Sequence, residues 1–154
     1  MTALAVFVCT FGYVGYVPFA SGTAGSAAGL VVFLLIRASG VPYLEPAVIA
    51  ILMVAGIWSG TVAERYFGRS DPSQGVIDEV AGMLITLFAL PMSALGLAAA
   101  FVLFRLLDII KLYPSARFER LPGGFGMMAD DAMAAVYGNV VLRLLIIVWP
   151  ALAQ

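Results

Sequence analysis

The chain has no histidine, a single cysteine and few charges, with eight basic and nine acidic side chains among 154 residues. Without an imidazole, every mechanism that needs a histidine nucleophile, general base or zinc ligand is excluded, Ser-His-Asp hydrolysis and the histidine-dependent lipid phosphatases among them. One cysteine, Cys9, leaves no internal disulfide and no multi-cysteine metal site. Cys9 is followed by Thr10-Phe11-Gly12-Tyr13-Val14-Gly15, with no basic neighbour to lower a thiol pKa. It therefore reads as a small buried hydrophobe, not as the nucleophile of a cysteine phosphatase. A formal charge of -1 supplies no basic stripe for a phosphodiester backbone, so no nucleic-acid partner is expected. Carboxylates, hydroxyls, Arg and Lys remain as the chemical groups.

What the chain does have is apolar surface. Hydrophobic residues make up 63% of it and its mean hydropathy is +1.06, a composition that suits one polytopic membrane domain over residues 1–154. Residues 1–36 carry no charge. They lack the basic start of a signal peptide and are interrupted by glycines and Pro18, so no cleavage is expected. Met1 to Thr10 reads as a short helix and Phe11 to Gly25 as a loop or re-entrant segment. Irregular backbone of that kind is tolerated at membrane depth only where protein or water covers it. Helices are then expected over Ala24 to Arg37, Pro46 to about Phe67, Val76 to about Leu90, Ala94 to about Leu112, and Ala129 to Val148. Pro and Gly supply the breaks between them. The expected fold is all-α, a membrane bundle of four to five hydrophobic helices with an irregular N-terminal segment.

Alternating helix directions assign the ends. If the Thr23 end of the first long helix faces side X, then Arg37 to Glu45 and Pro91 face side Y. Glu64 to Gly75 and Arg105 to Gly126 return to X. Side X then carries Arg65, Arg69, Arg105, Lys111, Arg117 and Arg120, against Arg37 and at most Arg143 on side Y. By the positive-inside bias X is the cytoplasmic side.

Every charged pair and motif falls on X. Arg105, Asp108 and Lys111 are spaced i, i+3, i+6 along one helix face, two cations flanking a carboxylate. Arg offers a planar fork and Lys a point charge for phosphate oxygens, while Asp108 could ligate a metal or orient the Arg. Asp78-Glu79 and Asp130-Asp131 are adjacent acid pairs at expected helix N-termini, where a single acid would be explained by capping. Two pairs exceed what capping needs. Oxygen ligands without His or Cys suit a hard ion such as Mg²⁺, and the pattern does not choose which of the four carboxylates are ligands. Asp71, before Pro72, fits ordinary turn chemistry as well. Ser21-Gly22-Thr23-Ala24-Gly25-Ser26 opens a helix where N–H groups and the hydroxyls of Thr23 and Ser26 can cradle an anion. Gly123-Gly124-Phe125-Gly126 lies similarly before the last helix.

Taken in series, these segments resemble a known family. Gly22-Thr23-Ala24-Gly25-Ser26, Val76 to Met83, Phe104 to Pro114 and Gly123 to Asp131 together are similar to phosphatidylglycerophosphatase A, in order and spacing, from about Phe11 to Gly138. This chain has Ser21-Gly22-Thr23 where the family often has Pro-Gly-Thr, and Lys111-Leu112-Tyr113-Pro114 where it has Lys-Pro-Trp-Pro. It also has Ala134-Ala135 where the family ends Ala-Gly, and none of these changes removes a charged group. The resemblance implies Mg²⁺-dependent hydrolysis of phosphatidylglycerophosphate to phosphatidylglycerol and inorganic phosphate at the bacterial cytoplasmic membrane. Asp78, Glu79, Asp130 and Asp131 would hold the metal, with Asp108 beside them, and Thr23, Ser26, Arg105, Lys111 and Gly124 would contact the phosphate. Water is preferred as nucleophile over an aspartate or Thr23. The rival from another class is a small transporter or channel subunit, for which Arg143 away from side X would be the pointer. A third reading is an inactive scaffold of the same fold.

Overall fold

A computed structural model describes residues 1–118 and 121–153; Arg120, counted above among the X-side cations, lies outside the described residues. In chain order come α1 (Thr2–Cys9), α2 (Ser21–Ser39), α3 (Leu44–Phe67), α4 (Ile77–Leu87), α5 (Ala94–Ile110), the four-residue α6 (Ser115–Phe118) and α7 (Gly124–Val148). Short 3-10 turns occupy Val14–Tyr16 and Pro150–Leu152, and no strand occurs among the described residues. With 19, 24 and 25 residues, α2, α3 and α7 are long and apolar enough to cross a membrane. The protein is a helical membrane protein, as its composition requires.

The organising element is the shortest of the central helices. Nine of the eleven residues of α4 are buried, and a helix apolar on all sides belongs at the centre of its bundle. It packs on α2, α3, α5 and α7. Small residues let α2 approach it closely, because a methyl group added at Gly29 would come within 2.8 Å of the Val80 carbonyl. Around it Phe33, Met83, Leu84, Leu87, Phe104 and Leu142 form the main core. Gly25 lies against Val76, Gly29 against Val80 and Met83, and Arg37 against the Leu90 carbonyl, so α2 and α4 run parallel.

At 1.5 Å per residue α4 is only about 16 Å long, so it ends inside the bundle. Its last carbonyls have no partner within the helix and lie at membrane depth, so they need partners from the protein. Asn139 Nδ2 of α7 supplies them to the carbonyls of Ile85 (3.3 Å), Thr86 (3.0 Å) and Phe88 (3.0 Å). Arg143 adds Nη2 to the Phe88 carbonyl at 3.1 Å and fixes Asn139 through Nε to Oδ1 at 2.8 Å. Arg143 is thus a cap on the end of α4, which accounts for its place away from side X. Asn139→Leu, similar in shape but without a donor, is expected to destabilise the fold by about 1–3 kcal/mol. Thermal unfolding in detergent reads that loss, and an unchanged midpoint would remove the capping role.

Three boundaries differ from the sequence expectation by three residues or more. α2 begins at Ser21, three residues early, α4 stops at Leu87, and α7 begins at Gly124 where Ala129 was expected. The last is a correction with consequences. Gly123-Gly124-Phe125-Gly126 reads locally as loop, yet Gly123 takes φ +66° and turns the chain into a helix whose first residue lies against the Ile57 and Gly56 carbonyls of α3. Close helix packing, which rewards glycine, overrides its low helix propensity. Asp130 and Asp131 are consequently the seventh and eighth residues of α7, and the first turn holds no acid. Capping does not explain them.

Candidate active site

Four helix ends meet on side X. The start of α2 brings Gly22 and Ser26, the start of α4 brings Asp78 and Glu79, the end of α5 brings Arg105, Asp108 and Lys111, and the second turn of α7 brings Asp130 and Asp131. One carboxylate oxygen each from Asp78, Glu79 and Asp131 falls within 4.8 Å of the other two. Asp78 is 6% exposed and Asp131 4%, so these charges face one another in protein rather than in water.

The cations have defined places. Arg105 Nη1 is 2.7 Å from Asp108 Oδ2 and 3.8 Å from Glu79 Oε1, and lies at 3.5 Å from Ser26 Oγ. Lys111 Nζ pairs with Asp130 Oδ2 at 2.8 Å. Asp108 is also in side-chain contact with Asp131. Five carboxylates (Asp78, Glu79, Asp108, Asp130, Asp131) against two cations (Arg105, Lys111) leave three formal negative charges in one cluster. Buried like charges at this spacing repel strongly unless a cation sits among them.

The unsatisfied atoms agree with that charge count. Glu79 Oε2 and Asp131 Oδ2 are buried with no hydrogen-bond partner, and so is Arg105 Nε. Orphaned buried polar atoms are rare in folded proteins and call for an account. Two acceptors and a donor left open in one cluster fit a cation held by the oxygens and an anion on the Arg. The donor set is all carboxylate oxygen, which fits a hard divalent ion such as Mg²⁺.

Other predicted residues separate by position. Gly22 lies so close to Glu79 Oε1 and to the Arg105 guanidinium that only a hydrogen fits there. Thr23 is exposed one residue further along the first turn of α2. Gly124 donates its N–H to Thr61 Oγ1 at 3.0 Å, so that group serves the α3–α7 contact. Ser26 Oγ donates to the Gly22 carbonyl at 3.0 Å. Asp71 is exposed, with φ +44° and its N–H on Glu64 Oε1 at 3.3 Å, in keeping with a turn residue. Cys9 is fully buried in α1, and burial pushes its thiol pKa up to about 12, so it is inert at neutral pH. Sequence reading gave Gly22 only as part of an anion cradle. Its closeness to Glu79 and Arg105 has no local sequence signal, since it joins residues 57 and 83 positions apart.

With this geometry in place, comparison with known proteins decides the lineage. Residues 7–146 match the family described as Phosphatidylglycerophosphatase A. The chain belongs to that family. Two relatives carry the same name: a Haemophilus influenzae protein, 38% identical over 127 residues that cover 80% of this chain and 77% of the relative, and an Escherichia coli protein, 34% identical over 139 residues, 88% and 80%. A third, from Bacteroides thetaiotaomicron, is provisionally named a phosphatidylinositol-3-phosphatase; it is 34% identical over 135 residues, 83% of this chain and 84% of its own. No solved structure matches. Membership of the phosphatidylglycerophosphatase A family makes the chain a phosphatase, and the carboxylate cluster between α4, α5 and α7 is its candidate active site.

Proposed function

We propose that this phosphatase removes the terminal phosphate of phosphatidylglycerophosphate, giving phosphatidylglycerol and inorganic phosphate, with Mg²⁺ held by Asp78, Glu79 and Asp131. The carrying observation is the cluster itself. Three carboxylate oxygens lie within 4.8 Å of one another, with Glu79 Oε2 and Asp131 Oδ2 lacking partners. A bound divalent ion would supply Lewis-acid polarisation of the phosphoryl group and a more acidic water.

The chain's own residues do the remainder. Arg105, open at Nε and lying against the first turn of α2, binds the phosphoryl oxygens together with the free N–H groups of that turn. Asp108 holds Arg105 in place at 2.7 Å. Water adds to phosphorus, the bond from phosphorus to the glycerol oxygen breaks, and the alcohol leaves with a proton. Carboxylates of the cluster would accept the proton of the attacking water. The lipid's acyl chains stay beside α3 and α7, whose outer faces are apolar and exposed.

Charge distribution supports the cytoplasmic side of a bacterial inner membrane. Arg65, Arg69, Arg105, Lys111 and Arg117 fall at the cluster's end of the bundle, whereas Arg37 and Arg143 fall at the other. One observation favours a second headgroup, namely the name of the Bacteroides relative. Both readings are tested in one assay, phosphate release from detergent micelles of phosphatidylglycerophosphate, phosphatidylinositol 3-phosphate or phosphatidic acid, with Mg²⁺ or with EDTA. Mg²⁺-dependent release that is fastest from phosphatidylglycerophosphate is expected. Faster release from the inositol lipid would transfer the assignment to that substrate, and equal rates in EDTA would end the metal reading.

A further inference from the structure

The two members of the Asp130-Asp131 pair do different things. Neighbours in a helix point about 100° apart, so two adjacent carboxylates need not share a site. Asp131 turns toward Asp78 and Glu79 with Oδ2 open, whereas Asp130 contributes no oxygen to that group. Asp130 is 3% exposed and its acceptors are engaged. Oδ2 takes Lys111 Nζ at 2.8 Å, Oδ1 takes the Asp131 N–H at 3.0 Å, and its main-chain carbonyl takes Ser115 Oγ at 3.0 Å.

The other half of the pair is shaped for this contact. Lys111 ends α5 with φ 50° and ψ 64°, a left-handed conformation that side chains with a β-carbon seldom adopt. Its N–H closes the helix on the Leu107 carbonyl at 3.0 Å while its ammonium group crosses to α7. Ser115, 1% exposed, closes the same corner from α6. The end of α5 and the start of α6 therefore converge on one aspartate of α7 beside the cluster.

We propose that Asp130 is a positioning residue and not a metal ligand: clasped by Lys111 and Ser115, it sets the rotation of α7 that aims Asp131 at Asp78 and Glu79. The clasp rests on the metal-phosphatase reading for its catalytic consequence. Loss of a positioning partner beside a metal site commonly costs about 10- to 100-fold in activity.

The test uses the full-length protein in micelles, with Asp130→Asn, Lys111→Met, the double variant, Lys111→Arg and Asp131→Asn. Each is measured for kcat, KM and the rise in thermal midpoint that Mg²⁺ produces. Asp131→Asn should lose that rise. Asp130→Asn and Lys111→Met should keep it, with kcat down about 10-fold and KM little changed. The double variant should be no worse than the weaker single one, and Lys111→Arg should retain most activity. If Asp130→Asn loses the Mg²⁺ response as Asp131→Asn does, Asp130 is a ligand and the proposal is wrong. If the losses in the double variant multiply, there is no clasp. A wild-type protein indifferent to Mg²⁺ would sink the metal reading instead, and the clasp would then be decided by whether the double variant is additive.

Discussion

Asp131→Asn is expected to lower phosphate release by ~10³-fold or more, since a catalytic metal contributes several kcal/mol and each 1.36 kcal/mol is tenfold in rate. The substitution is nearly isosteric, so the site keeps its shape and loses one negative charge and one metal-binding oxygen. Asp131 is 4% exposed and its Oδ2 has no hydrogen-bond partner. Folding should survive for a specific reason. Removing a buried carboxylate is most harmful when it strands a cation, and here both cations keep their short partners, Arg105 with Asp108 at 2.7 Å and Lys111 with Asp130 at 2.8 Å. Taking one charge out of a crowded acidic cluster also relieves repulsion. The variant should therefore unfold at or above the wild-type temperature without Mg²⁺, and gain less from its addition. Activity within tenfold of wild type would show that Asp131 does not hold the ion.

The same cluster shows which parts of the site local sequence could reveal. Within the strip Arg105, Asp108, Lys111, the first pair was legible because helical spacing alone puts i and i+3 on one face, and the structure pairs Arg105 with Asp108. Lys111 instead leaves the helix in a left-handed conformation and reaches Asp130 of α7. Counting helix directions gathered the acid pairs at one end of the bundle, because α2, α3 and α7 alternate as long apolar helices and α4 starts where α3 ends. The start of α7 was not legible. Gly123 to Gly126 looks like loop chemistry, and only the carbonyls of α3, 60 or more residues away, make those glycines helical. Moving that boundary turned an apparent capping pair into two residues of a helix interior with separate partners. Asn139 carried no signal either, since its partners at Ile85, Thr86 and Phe88 lie over 50 positions away. Local spacing reads one helix face; closures between helices are written in packing.

Gly22→Ala is expected to lower kcat by about 10²-fold, as a displacement of roughly 1 Å at reacting groups does. The β-carbon it adds would press on Glu79 Oε1 and approach Arg105 Nη2 to 2.8 Å and Nη1 to 3.0 Å. Both groups must move, and they are the ones proposed to hold the ion and the phosphate. No charge, donor or acceptor is deleted, which separates this variant from substitutions at the cluster itself. Alanine also favours helix over glycine by ~1 kcal/mol, so α2 should form as readily as before and a collapse of that helix cannot account for the loss. Arg105 yields by shifting its guanidinium against Asp108, now at 2.7 Å, and Glu79 by shifting its carboxylate relative to Asp78 and Asp131. Thermal unfolding with and without Mg²⁺, set beside kcat and KM for phosphatidylglycerophosphate, separates the two routes. A weakened Mg²⁺ response would mean that Glu79 had moved, and a raised KM that Arg105 had. Wild-type kcat and KM in this variant would mean that neither group works against the first turn of α2 during turnover, and would move the phosphate site elsewhere.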